Sequence, residues 1–333
     1  MATLGRIAMV GGGSWATALS KLLLDNCDRL LWYMRRQDRI DEFIKYRHNP
    51  VYVSDVQFDT ARIDFSADIN EVCSKADTIV VAVPSPYFKD MAQRIGVDLR
   101  GKNIVSAVKG IVPGDNEIVT EYFARHFGCD DGSLLVVGGP CHAEEVALSR
   151  LSYLTIGCHD PEKARLFSRV IAGKKMKTIL SEDVAGIEYG AVLKNVYAIA
   201  GGIVSGMKAG DNFLAMLVCN ALREMRRLID ALSPMEGRDV CRSAYLGDLL
   251  VTAYSKFSRN HNFGSMIGKG YSVKAAIMEM EMVAEGYYGT RCMYEINAAG
   301  PRVDTPILEC VYRILYEGVT PKQAFNAIYD TFA

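Results

Sequence analysis

The stretch that most limits what this chain can become lies at residues 6–25. The apolar run "RIAMV" passes directly into Gly11-Gly12-Gly13-Ser14-Trp15-Ala16 and then into the helical pattern "TALSKLLLD". A strand, a glycine turn and a helix in that order are the first unit of a doubly wound α/β sheet. Gly11 permits the tight turn and Gly13 allows a phosphate to approach the backbone. The small Ala16 lets helix pack on strand. The helix N-terminus then offers unpaired N–H groups to phosphate oxygens, so the local chemistry points to a dinucleotide.

The rest of the first half repeats the theme. Segments 6–10, 29–33, 78–83, 103–108, 134–138 and 152–157 read as strands separated by helical stretches, which predicts a parallel sheet wrapped by helices. Near Ser181 the pattern changes, and helices are predicted over 184–205, 212–232, 238–256, 272–284, 287–299, 306–316 and 321–332. With 333 residues the length suits two domains, set here at 1–183 and 184–333. The first is a dinucleotide-binding domain and the second an all-α domain for substrate and catalysis.

Composition excludes several classes. Thirty-eight Lys and Arg against thirty-nine Asp and Glu give a net charge of −1, so no overall positive field recruits nucleic acid. Nine scattered cysteines without a C-x-x-C pair read as free thiols in a reducing, cytoplasmic setting. The apolar start is interrupted by Arg6 and three glycines and reads as mature protein. Tyr189 to Met207 carries Lys194 and four glycines, the pattern of a buried core helix and not of a membrane span. His126, Cys129, Cys141 and His142 lack metal-ligand spacing, so no metal site is predicted. Glu144 and Glu145 read as a helix N-terminus.

Two features carry chemistry. After the second strand the sequence reads Trp32-Tyr33-Met34-Arg35-Arg36, with no carboxylate until Asp38. An acidic residue there would favour NAD, whereas arginines accept a 2′-phosphate, so NADPH is expected to serve at least as well as NADH. Solvated surface arginines are the alternative. Lys194 is the only charge between Glu188 and Lys208 in an otherwise apolar helix. Burial lowers a lysine pKa toward the range useful for proton transfer, unless the side chain snorkels or pairs with Asp183 or Glu188.

The ordered set "GGGSWATAL" (11–19), "AVKGI" (107–111), "GGPCHAEEVA" (138–147), "LKNVYAIAGGI" (193–203), "GDLLVTAYSKFSRNHNFG" (247–264), "VAEGY" (283–287) and "DTPI" (304–307) resembles the bacterial-type NAD(P)-dependent glycerol-3-phosphate dehydrogenases over nearly the whole chain. The resemblance implies a Rossmann-like N-terminal domain and an all-α C-terminal domain of the 6-phosphogluconate dehydrogenase-like plan. It also implies interconversion of dihydroxyacetone phosphate and sn-glycerol 3-phosphate for glycerophospholipid synthesis, and a homodimer. Carried onto this sequence, it places Gly11, Gly13, Ser14, Trp15, Arg35, Arg36, Lys109, Ala143, Arg259, Val283 and Glu285 at the cofactor. It places Lys109, Gly139, Cys141, Lys194, Asp248, Ser258, Arg259 and Asn260 at the substrate. Lys194 matches the proton donor and acceptor, with Lys109 and Asp248 as catalytic partners.

The chain departs from the family pattern at Ala16, at Cys141 where Thr or Ser is usual, at Ser205, and at His261-Asn262 where two arginines are common. A 3-hydroxy-acid dehydrogenase of the same architecture is the alternative enzyme. A non-catalytic dinucleotide sensor would not need Lys109, Lys194 and Asp248 together.

Overall fold

The computed structural model describes residues 4–255, 257–280, 282 and 284–332. It forms two compact units, Met1–Val108 with Ile118–Val184, and Lys109–Glu117 with Ala185–Ala333.

The first unit is built on eight strands: β1 (Ile7–Val10), β2 (Leu30–Tyr33), β3 (Ile63–Ser66), β4 (Thr78–Val81), β5 (Asn103–Ser106), β6 (Leu134–Gly138), β7 (Ser152–Cys158) and β8 (Met176–Ser181). They lie in the order β3-β2-β1-β4-β5-β6-β7-β8. Helices α1 (Ser14–Asn26), α2 (Gln37–Tyr46), α3 (Ile69–Lys75), α4 (Phe88–Ala92), α5 (Val119–Phe127), α6 (Ala143–Ala147) and α7 (Pro161–Ile171) connect them. Every residue of β1, β2, β4, β5 and β6 is buried, as in strands covered on both faces. The strand order turns back between β1 and β4, and ligands of such sheets bind outside the carboxyl ends at that reversal.

The sequence reading missed β3 and β8, the two edges of the sheet. An edge strand is covered less completely and needs no continuous apolar run. In β8 only Met176 is fully buried, and β3 carries Asp64 and Ser66. The sheet is also not wholly parallel, because β7 pairs antiparallel to β6 and β8 then runs parallel to β7.

The second unit contains α8 (Val184–Gly206), α9 (Asp211–Leu232), α10 (Asp248–Tyr254), α11 (Arg259–Gly268), α12 (Val273–Glu279), α13 (Glu285–Ala299), α14 (Pro306–Tyr316) and α15 (Pro321–Asn326). Helix α8 is buried along nearly its whole length, with Ser205 its one exposed residue. It meets α11 backbone to backbone. A side chain at Gly202 or Gly206 would collide with the His261 or Ser265 carbonyl, and one at Gly264 or Gly268 with the carbonyl of Ile199 or Ile203. Buried Glu224 of α9 accepts from Ile307 N at 2.8 Å and Leu308 N at 2.9 Å, satisfying the first turn of α14.

Two expectations need correction here. The helix predicted over 238–256 is confined to a π-helical turn, Ser243–Gly247, followed by α10. Ahead of it, local polar bonds displace helix: Asp239 Oδ1 accepts from Cys241 N at 2.9 Å, and Arg238 donates to Ser233 O at 2.7 Å. Residues Lys109–Glu117, assigned from sequence to the first domain, group with the helices. Their partners explain this, since Asn195 on α8 donates to the Lys109 carbonyl and Asn116 donates to Glu295 on α13.

Candidate functional site

In the sheet unit, a cavity of about 410 Å³ opens beyond β1, β2 and β4, lined by Gly11, Gly12 and Gly13, by Tyr33 to Arg36, and by Val83 and Pro84 among others. Gly11 adopts φ +133°, and a side chain there would strike the Ala82 carbonyl. Gly13, the N-cap of α1, differs: a Cβ built on it meets nothing within 4 Å. The turn is therefore closed on its protein side and open where α1 begins, a cradle that fits a phosphate group.

Side chains fix this turn. Buried Trp32 donates from Nε1 to Gly11 O at 2.7 Å, and Asn49 Nδ2 donates to Gly12 O at 3.1 Å and to Thr17 Oγ1 at 2.8 Å. Trp32 is in turn held by Phe43, Phe58 and Phe65, with ring centroids 5.2, 5.8 and 5.6 Å away. Neither Trp32 nor Asn49 was singled out from sequence as a support of the loop. Ser14 is buried as the first residue of α1, and Trp15 is half-buried against the core. Arg35 and Arg36 both line the cavity, as do Arg39 and Arg94, which the sequence reading did not name.

Gly139, Cys141 and Ala143 form the turn from β6 into α6. Cys141 N donates to Gly139 O at 2.9 Å, and the Cys141 thiol donates to Tyr153 O at 3.3 Å. Ala143 opens α6, with Glu144 and Glu145 in its first turn.

The helical unit gathers the ionisable groups. Lys194 on α8 is 5% exposed and Asp248, first residue of α10, is 1% exposed. Lys194 Nζ donates to Asp248 Oδ1 at 2.5 Å and to Thr252 Oγ1 at 3.0 Å. Lys109 Nζ donates to the other carboxylate oxygen, Oδ2, at 3.3 Å. One buried carboxylate thus holds two ammonium groups side by side. Asp248 and Thr252 share a helix face by their i, i+4 spacing, and Thr252 donates to Asp248 O at 2.6 Å. Burial pulls the Lys194 ammonium down to about 8; the charge of Asp248 opposes that and neighbouring Lys109 adds to it.

A chain of amides fixes the spacing. Asn195 Nδ2 donates to Lys109 O at 2.8 Å, Asn260 Nδ2 donates to Asn195 Oδ1 at 2.9 Å, and Gly286 N donates to Asn260 Oδ1 at 2.8 Å. Ser258 caps α11 by accepting from His261 N at 3.2 Å. Arg259 is half-buried, with Nη1 3.8 Å from Met282 Sδ, and Glu285 begins α13. Val283 lies outside the described residues. Lys194, Lys109, Asp248 and Asn260 therefore belong to one connected network. Its sequence-silent members are Thr252 and Asn195, whose only prior signals were the i+4 spacing from Asp248 and adjacency to Lys194. Among the described residues, no group of three His, Cys, Asp or Glu side chains is arranged to hold a metal ion, and no helix is long and apolar enough to cross a membrane.

A doubly wound sheet with a glycine cradle, together with a helical unit carrying a buried lysine paired to a carboxylate, defines a dinucleotide-dependent dehydrogenase of the 6-phosphogluconate dehydrogenase-like plan. The comparisons with known proteins make the class specific. Residues 6–164 match the family described as NAD-dependent glycerol-3-phosphate dehydrogenase N-terminus, and residues 183–326 match the corresponding C-terminus. The chain belongs to the NAD-dependent glycerol-3-phosphate dehydrogenase family. It is 32% identical to the glycerol-3-phosphate dehydrogenase [NAD(P)+] of Staphylococcus carnosus over 95% of both chains. It is 34% identical to that of Prosthecochloris aestuarii, over 97% of this chain and 96% of the other. The crystal structure of glycerol-3-phosphate dehydrogenase from Coxiella burnetii superposes with a TM-score of 0.88 at 26% identity, covering 97% of this chain and 98% of that one. A ketopantoate reductase from Ralstonia eutropha, at TM-score 0.61 and 11% identity, shares the fold alone.

Proposed function

We propose that this protein reduces dihydroxyacetone phosphate to sn-glycerol 3-phosphate, using NADPH or NADH, and so feeds glycerophospholipid synthesis. The observation that carries the reading is the Lys194–Asp248–Lys109 cluster, in a chain of this family. The nicotinamide, when bound, supplies the hydride to the substrate carbonyl carbon. Lys194 gives its proton to the alkoxide oxygen that develops there, and a pKa of about 8 lets it do so near neutral pH. Lys109, fixed on the second oxygen of Asp248, adds positive charge beside that oxygen, where preorganised electrostatics act most strongly. Asp248 keeps Lys194 protonated against the burial that would discharge it.

In this reading Ser258, Arg259, Asn260, Gly139 and Cys141 hold the substrate. The cofactor is held by Gly11, Gly13, Ser14 and Trp15, by the arginines of the cavity, and by Lys109, Ala143, Arg259, Val283 and Glu285. The open face of Gly13 supports the cofactor part, and the placing of two ammonium groups on Asp248 supports an anionic substrate. The two helical arginines common after Asn260 are absent, so Arg259 carries the guanidinium contribution of α11 alone. The reading extends to a homodimer, for which exposed Met216, Leu250 and Tyr254 offer apolar surface, and to the cytoplasm, which suits nine free cysteines.

The decisive experiment follows nicotinamide absorbance on adding dihydroxyacetone phosphate with each reduced cofactor, beside a 3-oxo acid as the competing substrate class. Oxidation with the phosphorylated ketone is expected; no change with either cofactor, or turnover only of the oxo acid, overturns the assignment. Light scattering of the purified chain tests the dimer.

A further inference from the structure

Four arginines, 35, 36, 39 and 94, line the cavity at the glycine turn, against a single carboxylate in that lining, Asp90. Two of the four are already engaged. Arg36 donates from Nε to Asp38 at 3.0 Å and pairs with the same carboxylate through its terminal nitrogen, while Arg39 donates to Glu42 at 2.8 Å. Among the described residues, the guanidinium groups of Arg35 and Arg94 make no hydrogen bond or ion pair. They come from separate parts of the fold, Arg35 from the end of β2 and Arg94 from just beyond α4. Both line the one cavity beside Tyr33, whose phenol burial pushes up while the charges of Arg94 and Arg35 lower it.

A guanidinium gains most from an anion when no protein carboxylate already occupies its fork. An adenosine ribose with free hydroxyls offers these two groups no charge to meet, whereas a 2′-phosphate offers close to two negative charges. Two uncommitted guanidiniums also outweigh the single opposing charge of Asp90. Arg36 would have to abandon Asp38 to contribute. We infer that Arg94, acting with Arg35 across the cavity, is the determinant that selects a 2′-phosphorylated dinucleotide, and that Arg36 is not. The inference rests on the dinucleotide reading of this cavity and differs from the sequence expectation, which gave the phosphate to the adjacent pair Arg35 and Arg36.

Calorimetric titration of the full chain with 2′,5′-ADP and with 5′-AMP tests it without any substrate, so failure of the dehydrogenase assignment and failure of this inference are separable. The wild-type protein is expected to bind the 2′-phosphorylated probe at least tenfold more tightly. Arg94→Gln and Arg35→Gln should each cut that ratio by about tenfold, and the double variant should abolish it, while Arg36→Gln moves it less than threefold. Circular dichroism of each variant confirms that the fold is retained, and the two probes serve as each other's internal reference. A ratio unchanged in Arg94→Gln overturns the inference, as does an equal loss in Arg36→Gln or a wild-type protein indifferent to the 2′-phosphate. Absence of binding by either probe overturns it together with the cofactor reading.

Discussion

The two candidate sites are made of different material. The glycine cradle is backbone, shaped by what is missing: no side chain at Gly11, where the Ala82 carbonyl stands, and none at Gly13, where nothing stands. The lysine cluster is side chain throughout, with Lys194, Asp248 and Thr252 buried and Lys109 partly so. A backbone site is tuned by sterics and tolerates most chemistry around it, whereas a buried ionic site is tuned by charge and fails when any member is removed. The two sites are thus exposed to different kinds of damage.

The sharpest way to break that contrast is Lys194→Ala. Turnover should fall by about 10²–10⁴, the usual worth of positioned proton transfer, with cofactor affinity retained. Stopped-flow rates and equilibrium binding measure the two halves, and an active variant would remove Lys194 from the mechanism. Asp248→Asn comes next. It leaves two ammonium groups facing each other without their shared anion, and breaking a buried pair costs about 3 kcal/mol in stability. Denaturant unfolding should show that loss, together with a lower pKa for Lys194.

On the backbone side the two glycines should part company. Gly11→Ala combines an unfavourable φ with a collision against the Ala82 carbonyl and should cost about 2 kcal/mol of stability. Gly13→Ala meets open space, so the melting temperature should hold while cofactor Kd rises about tenfold. Equal behaviour of the two variants would erase the distinction between a structural and a binding glycine. The mildest effect is in pH. Ketone reduction needs protonated Lys194, so its rate should fall as pH rises through about 8, and alcohol oxidation, which needs the neutral amine, should rise over the same range. A profile flat from pH 7 to pH 9 (roughly one unit either side) in both directions would detach the rate from this group.

Sequence reading reached what local patterns encode. The cradle was legible because strand, glycines and helix are contiguous, and the central strands because burial on both faces demands unbroken apolar runs. Lys194 stood out because a charge inside an apolar helix is conspicuous. What escaped depends on tertiary partners. Helix α11, "RNHNFGSMIG", carries two glycines and two asparagines and has poor intrinsic helix propensity. It folds as a helix where Gly264 and Gly268 let it lie directly on α8. The glycines of α8 marked a buried helix in the sequence, but not which element would cover it. Thr252 and Asn195 carry no signature of their own, and their roles appear only when α8, α10 and the segment after β5 are brought together. The pairing of Arg36 with Asp38 was equally silent, because nothing in the order of residues tells a guanidinium engaged by a neighbouring carboxylate from one that is not.

The glycine seam between α8 and α11 has a mechanical consequence. Where side chains separate two helices, a change in one is absorbed by rotamers in the layer between; here carbonyl rests against Cα and nothing can rotate. Lys194 and Asn195 on one helix and Asn260 on the other are therefore held at a spacing set by backbone contact rather than by side-chain packing. The seam acts as a rigid gauge, and any residue larger than glycine at 202 or 264 would reset the distance between the amide and lysine of α8 and the asparagine of α11.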